Sequence, residues 1–453
     1  MSVTSACADL IIGLKSDSVP ESALNWAKWG ILDCTGVGLA GAATEMAVII
    51  EDYLNFVGGR PQARILGLEL ATSVPESAMA NGALCHALDY DDAGGFGHPS
   101  AALLPAIYAL ADVVQPSGKE ALAAYVVGFE VGNCLGECNL FGKIDIHSWQ
   151  LGWHPTGVYG TIGAACTAAR LLGLTREQTS HAIGIAASEA SGINKNFGTM
   201  TKPLHAGLAA RNGVFAALLA QRGFTADSDA LGGEQGFLWA FKGPGNYTQE
   251  LVCARLGKDF ALNRGLAIKW FPGGWSTHRA TAGVIDLVRQ HGLSPADIDT
   301  IEVALEPIPT LRLNPLSGVE GKFSIAFNVA LGVLKGWPDI EDYSTDRTRE
   351  PGIRSLMQRV RHAADPADGS VNVAIVTKGG KRFEKNVKHA PNDPIFGLQK
   401  ERALAKFRKC AAYRLSPDAI AAVEEELLNL DRVTNLSRLM GALTAGTKNL
   451  RSS

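Results

Sequence analysis

Charged side chains are scarce in this chain of 453 residues. Lys, Arg, Asp and Glu together make up 19% of the sequence, below the roughly 25% that is usual for soluble proteins. The formal net charge is −3 and no long basic run occurs, so the electrostatic footprint of a nucleic-acid-binding protein is missing. We therefore expect no nucleic-acid partner, and we expect any anionic ligand to be held by a few placed cations.

Long apolar segments are also missing. No run reaches 18 apolar residues, and the longest candidates, near Ala101–Val114 and Gly160–Leu174, are broken by Pro105 and Arg170. The N-terminus lacks the basic segment and apolar core of a signal peptide. Eight cysteines are present, but their spacing completes no zinc-ligand pattern. These absences predict a cytoplasmic protein with free thiols and no membrane partner.

Small and apolar residues are abundant instead. Apolar residues make up 46% of the chain and glycine accounts for 50 positions, which favours helices that pack closely through small side chains. One helical pattern follows Pro20, and short Ala-rich patterns recur through about the first 260 residues. They cover Ser77–Leu88, Ala101–Val113, Ala121–Cys134, Thr161–Leu172, Arg176–Ala187 and Ala206–Gln221. Helix following helix, without alternating strands, predicts an all-helical bundle.

The pattern changes after about Ala261. Strand-like alternation appears at Thr300–Glu306, Val371–Val376 and Arg382–Val387, with a hairpin turn at Gly379-Gly380 and helical patterns at Thr281–His291, Ser324–Leu334 and Ile353–Ala363. Helical patterns return after Asp393, at Leu398–Cys410, Pro417–Leu430 and Val433–Gly441. We therefore predict a mainly α protein, with a discontinuous helical domain (1–262 and 395–453) and a smaller α+β domain (263–394).

Three carboxylates are crowded into a short polar stretch. Asp89, Asp91 and Asp92 follow His86 closely, and like charges at this spacing repel one another. Either the stretch is a solvated loop, or one carboxyl of a buried cluster has a raised pKa and exchanges a proton near neutral pH. The glycines of Gly94–Gly97 would allow the backbone to turn tightly around such a cluster.

A second pattern links three more positions. His98, His154 and Lys202 each precede a proline that opens a small-residue helical run, which predicts that each lies at a helix N-terminus. Each motif alone is typical of an ordinary helix start. If the three ends converge, their free N–H groups and side chains would form a pocket for a multiply charged carboxylate.

A metal site is the competing interpretation. His86, Asp89, Asp91, Asp92 and His98 carry donor atoms that suit a divalent ion. No second cluster with tight spacing supports this interpretation. A metal-dependent hydrolase and a helical scaffold without catalysis remain the alternatives to a metal-independent enzyme.

Four segments together resemble the MmgE/PrpD family, whose members include 2-methylcitrate dehydratase, cis-aconitate decarboxylase and iminodisuccinate epimerase. The matching text is NGALCHALDYDD with GHPSAALLPAIYALAD, GWHPTG, NFGTMTKPLHAGLAARNGVFAALLAQRGFT and FPGGWSTH, followed by GKFSIAFNVALGVL. These segments occur in the family's order, and the general similarity extends over nearly the whole chain.

The resemblance implies an all-helical MmgE/PrpD-type domain, a smaller α+β lid domain with the active site between the two, and a homodimer. It implies a small di- or tricarboxylate substrate and no metal, flavin or nucleotide cofactor. By matching motifs, the catalytic residues would be Asp89, His98, His154, Lys202 and His278, with Lys202, His98 and Thr201 binding the substrate.

A mechanism follows as a hypothesis. His154 or Asp89 would remove a proton from the carbon next to a carboxylate, and Lys202 would stabilise the negative charge that develops. Asp89 or His278 would make the second proton transfer. The same apparatus serves dehydration, decarboxylation and epimerisation.

Two departures bear on which of these reactions occurs. Ala93 follows the Asp-Asp pair where the decarboxylases generally have Thr, and Gly274 stands where they align a His. Both disfavour decarboxylation, whereas the segment that contains Lys202 is especially similar to the epimerases. We expect a 2-methylcitrate dehydratase-like hydro-lyase, with the epimerase and the decarboxylase as alternatives.

Overall fold

The computed structural model describes residues 2–137, 146–308, 310–366 and 368–444, and most of these residues are helical. The α-helices are α1 Val3–Gly13, α2 Glu21–Gly41, α3 Glu45–Val57, α4 Val74–His86, α5 Pro99–Val114, α6 Gly118–Gly136, α7 Ile146–Gln150, α8 Pro155–Leu171, α9 Arg176–Glu189, α10 Thr201–Gln221, α11 Phe237–Lys242, α12 Gln249–Arg255, α13 Trp275–His291, α14 Gly318–Gly321, α15 Ile325–Lys335, α16 Pro351–Met357, α17 Lys400–Ala411, α18 Pro417–Leu428 and α19 Leu436–Thr444. The predicted fold class, mainly α with a few strands, is confirmed.

The strands form two small sheets. They are β1 Ala63–Arg64, β2 Ala71–Thr72, β3 Ile298–Ala304, β4 Val360–Ala363, β5 Val371–Thr377 and β6 Arg382–Val387. β1 and β2 pair with each other, and the second sheet has the order β4-β3-β5-β6. β3 runs parallel to β4 and antiparallel to β5, and β5 and β6 form the predicted hairpin.

The buried apolar side chains form two main cores. The larger core draws on residues 3–266 and on residues 403–443, whereas the other large core draws on residues 271–375. α17 and α18 pack against α2, and α19 packs against α5. The last helices therefore return to the first ones, while the exact domain limits of 262/263 and 394/395 stay a prediction.

One predicted helix is wrong in its second half. Helix α16 ends at Met357, and Val360–Ala363 is a strand rather than the end of a helix that spans Ile353–Ala363. The backbone N–H of Ile301 donates to the carbonyl of Arg359 at 2.9 Å, and Val360 aligns with Ile301 in the parallel pair. Periodicity within the segment cannot predict this pairing, because the partner strand lies about 60 residues away.

Two other features bear on the sequence predictions. Within the described residues, no single helix is long and apolar enough to cross a membrane, although the bent pair α2 and α3, at 81°, passes by length and composition alone. Cys7, Cys34, Cys85, Cys134, Cys166, Cys253 and Cys410 are free thiols. Cys138 lies outside the described residues.

Candidate active site

The three predicted helix starts converge around the end of α4. His98 is the N-cap residue of α5 and His154 is the N-cap residue of α8, as their positions before proline predict. Lys202 departs from this prediction, because α10 begins at Thr201 and Lys202 is its second residue. Pro203 is tolerated there because the first turn of a helix has no intrahelical use for its N–H.

A close helix crossing brings Lys202 to His86. A Cβ atom on Gly82 of α4 would lie 2.7 Å from the Cα of Gly207 of α10, so only glycine permits this approach. The crossing places the first turn of α10 against the last turn of α4, where His86 lies. The abundance of small residues thus has a local consequence, since it lets a lysine and a histidine meet inside the protein.

The loop after α4 is tightly folded, as its glycines predict. A Cβ on Gly95, which has φ of 48°, would lie 2.9 Å from Phe129, and a Cβ on Gly97 would lie 2.6 Å from the Thr156 hydroxyl. That hydroxyl accepts a hydrogen bond from the backbone N–H of His98 at 3.0 Å. Asp89 also has a left-handed backbone, with φ of 51°, which is costly for a residue with a side chain.

Asp89 lies between two buried lysines. Lys202 Nζ donates to Oδ2 at 2.5 Å, and Lys269 Nζ donates both to Oδ1 and to the Asp89 carbonyl oxygen. Burial alone raises the pKa of the Asp89 carboxyl, but the charges of Lys202 and Lys269 prevail and hold it well below 3.8. Asp89 is therefore an ionised carboxylate and a weak base.

His86 connects a carboxylate to Lys202. Its Nδ1 lies 2.9 Å from both carboxylate oxygens of Asp91, and its Nε2 lies 2.7 Å from Lys202 Nζ. Because an ammonium only donates, Nε2 accepts and Nδ1 carries the proton that is donated to Asp91. Burial lowers the pKa of His86, in keeping with a neutral ring.

His98 presents one free ring nitrogen to the cluster. Its Nδ1 donates to the carbonyl oxygen of Asp92 at 2.9 Å, and its Nε2 lies 3.9 Å from Asp89 Oδ1. Burial, followed by the charges of Lys269 and Lys202, lowers the pKa of His98 to about 3. The ring is therefore neutral, and its Nε2 lone pair is available to accept a hydrogen bond.

His154 is buried beside a histidine to which the sequence assigned no role. Its Nδ1 lies 3.0 Å from the Nδ1 of His205, which follows Lys202 by three residues on α10. Burial and the charge of Lys202 hold the pKa of His154 well below 6.5. Residues three apart on a helix lie on the same side, so the spacing from Lys202 could have predicted a role for His205 from the sequence.

His278 approaches from the α+β side and is fully buried in the first turn of α13. Its ring stacks on Phe271 with 3.9 Å between centroids. Among the described residues, neither ring nitrogen makes a hydrogen bond of good geometry, and a weaker contact with the Gly273 backbone acts to raise the pKa. Burial and the charge of Lys269 hold the pKa of His278 well below 6.5.

Two lysines complete the cluster beyond the predicted set. Lys269 lies two residues before the FPGGWSTH segment, and Lys322 is the second residue of the GKFSIAFNVALGVL segment, but neither was assigned a role from the sequence. Lys322 Nζ donates to the carbonyl of Ala87 at 3.0 Å, and burial lowers its pKa to about 8. With Lys202, three ammonium groups therefore surround the carboxylates of Asp89 and Asp91.

One carboxyl of the Asp89–Asp92 stretch does have a raised pKa, as the crowding predicts. Burial raises the pKa of Asp92 to about 8. Its Oδ2 accepts from the Ser100 hydroxyl at 2.6 Å, and that hydroxyl also contacts the hydroxyl of Tyr125. Asp92 thus acts within a buried polar network at the start of α5.

The metal interpretation finds partial geometric support. His86, Asp91 and His98 offer ligand atoms within 4.8 Å of one another. However, the Nδ1 atoms of both histidines donate hydrogen bonds, and Lys202 Nζ occupies the lone pair of His86 Nε2. The Lys202 ammonium, 2.7 Å from His86 Nε2, would repel a divalent cation bound there. The site therefore suits an anion better than a metal ion.

Thr201 is the one predicted residue that stays apart. It is half-buried at the first position of α10, and its hydroxyl makes no hydrogen bond within the described residues. Asp89, His98, His154 and Lys202 lie within one cluster, and His278 is close enough to be influenced by the charges of Lys269 and Asp89. The catalytic roles of all these residues stay predictions.

Comparisons with known proteins identify the family of this chain. The model of the MmgE/PrpD N-terminal domain matches residues 5–250, and the model of the MmgE/PrpD C-terminal domain matches residues 271–432. The chain belongs to the MmgE/PrpD family. The resemblance drawn from the four segments is thereby confirmed.

Several MmgE/PrpD relatives have named activities. A cis-aconitate decarboxylase of Mus musculus is 30% identical over 97% of this chain and 93% of its own length, and that of Homo sapiens is 29% identical over 97% and 94%. A 2-methylcitrate dehydratase of Escherichia coli strain K12 is 23% identical over 67% of this chain and 65% of its own length. This member of the family is therefore an enzyme of the lyase type.

Proposed function

We propose that this enzyme removes a proton from the carbon next to a carboxylate of a small di- or tricarboxylic acid. The observation that carries the proposal is the buried group of Lys202, Lys269 and Lys322 around Asp89, beside neutral histidines. Three ammonium groups with two ionised carboxylates leave an excess positive charge, which a polyanionic substrate would neutralise.

The geometry favours His154 over Asp89 as the base. Both carboxylate oxygens of Asp89 already accept hydrogen bonds from the ammonium groups of Lys202 and Lys269, so neither oxygen is free to take a proton. His154 is neutral, and its Nε2 has no hydrogen-bond partner within the described residues. Lys202 would stabilise the charge that develops as His154 takes the proton.

His98 and His278 complete the proposed roles. The free Nε2 of His98 would accept from a hydroxyl or a protonated carboxyl of the substrate. His278 would make the second proton transfer, because a bound polyanion adds negative charge beside its ring and raises its pKa. In the free enzyme the pKa of His278 is too low for the ring to hold a proton. Substrate binding would raise this pKa and so allow His278 to act as the acid.

Dehydration of a 2-methylcitrate-like hydroxy acid is the outcome that we propose first. Ala93 and Gly274 depart from the decarboxylases, and both positions adjoin the cluster, since Ala93 pairs with Ala267 and the N–H of Gly274 bonds the Lys322 carbonyl. Iminodisuccinate epimerisation remains an alternative on the strength of the segment around Lys202.

Decarboxylation of cis-aconitate is the second candidate. The decarboxylases of Homo sapiens and Mus musculus match over nearly the whole chain, whereas the Escherichia coli dehydratase matches over two thirds of it. Decarboxylation would use the same cations and the same histidines. Carbon dioxide would leave in place of a proton, and a protonated histidine would then donate its proton to the carbanion that remains.

The test is a product analysis by proton NMR. Purified enzyme would be incubated with 2-methylcitrate, citrate, cis-aconitate, trans-aconitate and freshly prepared iminodisuccinate. We expect 2-methylcitrate to lose water to an unsaturated acid. The methyl doublet would become a singlet if the methyl-bearing carbon loses its proton, and a vinyl proton would appear if the CH₂ carbon does. Formation of itaconate-type methylene signals from cis-aconitate would establish the second candidate instead. Hydrolysis of a substrate of another class, dependent on added metal, would contradict both.

The homodimer that the resemblance implies is also part of the proposal. Sedimentation equilibrium would test it directly against the 47.8 kDa mass of one chain. We expect a species of twice this mass, and a monomer at micromolar concentration would contradict it.

A further inference from the structure

His154 and His205 face each other through the same type of ring atom. Their Nδ1 atoms are 3.0 Å apart, which is the distance of a hydrogen bond. Neither ring makes another hydrogen bond among the described residues. His154 is 2% exposed and His205 is 5% exposed, so solvent offers little substitute for this contact.

The backbone holds both rings in this position. The N–H of His154 donates to the carbonyl of Gly192 at 3.0 Å. Gly192 has φ of 116°, and a Cβ on it would lie 3.2 Å from Cγ of His205. The absence of a side chain at Gly192 therefore lets the His205 ring approach, while its carbonyl places the His154 backbone.

A contact between two Nδ1 atoms restricts the protonation of both rings. Burial and the charge of Lys202 lower the pKa of His205 to about 4 and hold that of His154 well below 6.5, so both rings are neutral. His86 and His98 also face His154 and are neutral. Two neutral imidazoles can share this bond only as opposite tautomers, one donating from Nδ1 and the other accepting at Nδ1.

The two possible arrangements differ in what they offer to a substrate. If His154 donates, its Nε2 carries a lone pair and is free to take a proton. If His205 donates, Nε2 of His154 already carries a proton and cannot act as a base. The partner on Nδ1 thus selects between a basic and an acidic His154.

We propose that His205 is a positioning residue that accepts the Nδ1 proton of His154 and so keeps His154 Nε2 available as the base. The pairing of the two rings is observed, whereas the choice between the two tautomers rests on the proposed function, in which His154 is the base. When Nε2 takes a proton, the Nδ1–H bond to His205 would also stabilise the imidazolium that forms.

The tautomer is tested by ¹⁵N NMR of enzyme labelled at histidine. The His154 signals would be assigned by their loss in His154→Asn. We expect Nδ1 of His154 to be protonated and Nε2 to be unprotonated in the wild type, with a mixture of tautomers in His205→Phe. His181→Gln is the matched control, because His181 bonds the Ala226 carbonyl instead and should leave His154 unchanged. A protonated Nε2 on wild-type His154, or identical signals in His205→Phe, would overturn the proposal.

Kinetics distinguish positioning from packing. In His205→Asn the amide oxygen takes the place of Nδ1 and can still accept, whereas in His205→Gln it lies farther along the side chain. We expect kcat to fall roughly 100-fold in His205→Gln and less than about fivefold in His205→Asn, with KM little changed in both. Equal losses in the two variants would show a packing role and contradict the proposal. If the wild type turned over no acid, the proposed function would fail while the NMR result still decided the tautomer.

Discussion

The helical side of the cluster and the side formed by α13 differ in how their polar groups are satisfied. On the helical side, Asp89, Asp91 and His86 bond one another or a lysine, and every contact lies within the fold. On the α13 side, His278 is equally buried, but within the described part of the chain its ring nitrogens have only a weak contact with the Gly273 backbone. The comparison suggests that the helical side is built in advance and that His278 completes its bonding with the substrate.

The poor hydrogen bonding of the buried His278 ring has an energetic cost. A buried polar group without a partner costs about 1–3 kcal/mol, which the rest of the fold must offset. The polar side chains of the cluster are at most 9% exposed, and contacts between the helical and α+β parts lie directly beside them. These contacts include the hydrogen bond from the Lys322 ammonium to the Ala87 carbonyl and the hydrogen bond from the Gly273 N–H to the Asp89 carbonyl.

Removing the charge of Lys202 should have the largest effect on the helical side. We expect Lys202→Met to lower kcat/KM by about 10³-fold, because both the substrate carboxylate and the developing charge lose a fixed cation. Asp89 and His86 would also lose a donor, so the melting temperature should fall. Steady-state kinetics and calorimetry check both effects. Lys195→Met, at an exposed position nearby, is the control and should be silent. Activity within tenfold of wild type in Lys202→Met would refute the assignment.

Two histidine substitutions should separate stability from activity. We expect His86→Leu to lower the free energy of unfolding by about 2–4 kcal/mol, because Asp91 and Lys202 each lose a buried partner. His278→Leu removes an unsatisfied ring and should leave stability unchanged or higher, while kcat falls about 10²-fold.

Chemical denaturation and steady-state kinetics measure the two quantities. His291→Asn, at the exposed end of α13, serves as the control. If His278→Leu lost as much stability as His86→Leu, the difference between the two sides would disappear.

Lys322 should give the enzyme a basic limb in its pH profile. Its pKa is lowered to about 8 by burial, so its charge is lost as the pH rises through that value. We expect kcat/KM for a polyanionic substrate to fall by about tenfold above about pH 8, because the charged hydrogen bond from Lys322 to the substrate is lost. Lys322→Met should have the lower value at all pH and lack this limb, whereas Lys335→Met should behave as wild type. A limb that persisted in Lys322→Met would assign it to another group.

The same shift affects stability with the opposite sign. The folded pKa of about 8 lies below the ordinary 10.5, so burial of charged Lys322 opposes folding fully below pH 8. This penalty fades as the pH rises from 8 through 10.5, and above 10.5 Lys322 is neutral in both states. The contribution of Lys322 to the free energy of unfolding should therefore rise over that range.

Chelation should have the smallest effect. Lys202 Nζ lies against His86 Nε2, where a metal would need to bind, so we expect dialysis against a chelator to change kcat by less than about twofold. The control is the same assay after zinc, manganese or magnesium is returned. Activity that disappeared and was restored by one metal would favour the His86, Asp91 and His98 set as ligands.

Local signals predicted much of the site. Proline after His98 and His154 placed both at helix N-caps, because proline fixes φ for the first helical residue. The same signal misplaced Lys202 by a residue, because proline is tolerated anywhere in the first turn. The glycines of Gly94–Gly97 predicted the tight loop because left-handed backbone favours glycine.

The missing parts depend on contacts that are distant in sequence. Lys269 bonds Asp89 across 180 residues and Lys322 bonds Ala87 across 235, and no spacing rule connects such pairs. β4 was missed for the same reason, since its strand character comes from pairing with β3. His205 was also missed, although its helical spacing from Lys202 was visible in the sequence.

Proton exchange next to a carboxylate tests the central claim most directly. Chelator-treated enzyme in deuterated water would be given the acid that it converts, with proton NMR following the carbon-bound hydrogens. We predict deuterium at the carbon next to a carboxylate in wild type and Lys195→Met, and none in Lys202→Met or His154→Asn. Unchanged exchange in Lys202→Met or His154→Asn would contradict the account. So would the absence of deuterium next to a carboxylate when the wild type adds deuterated water back to the dehydrated product.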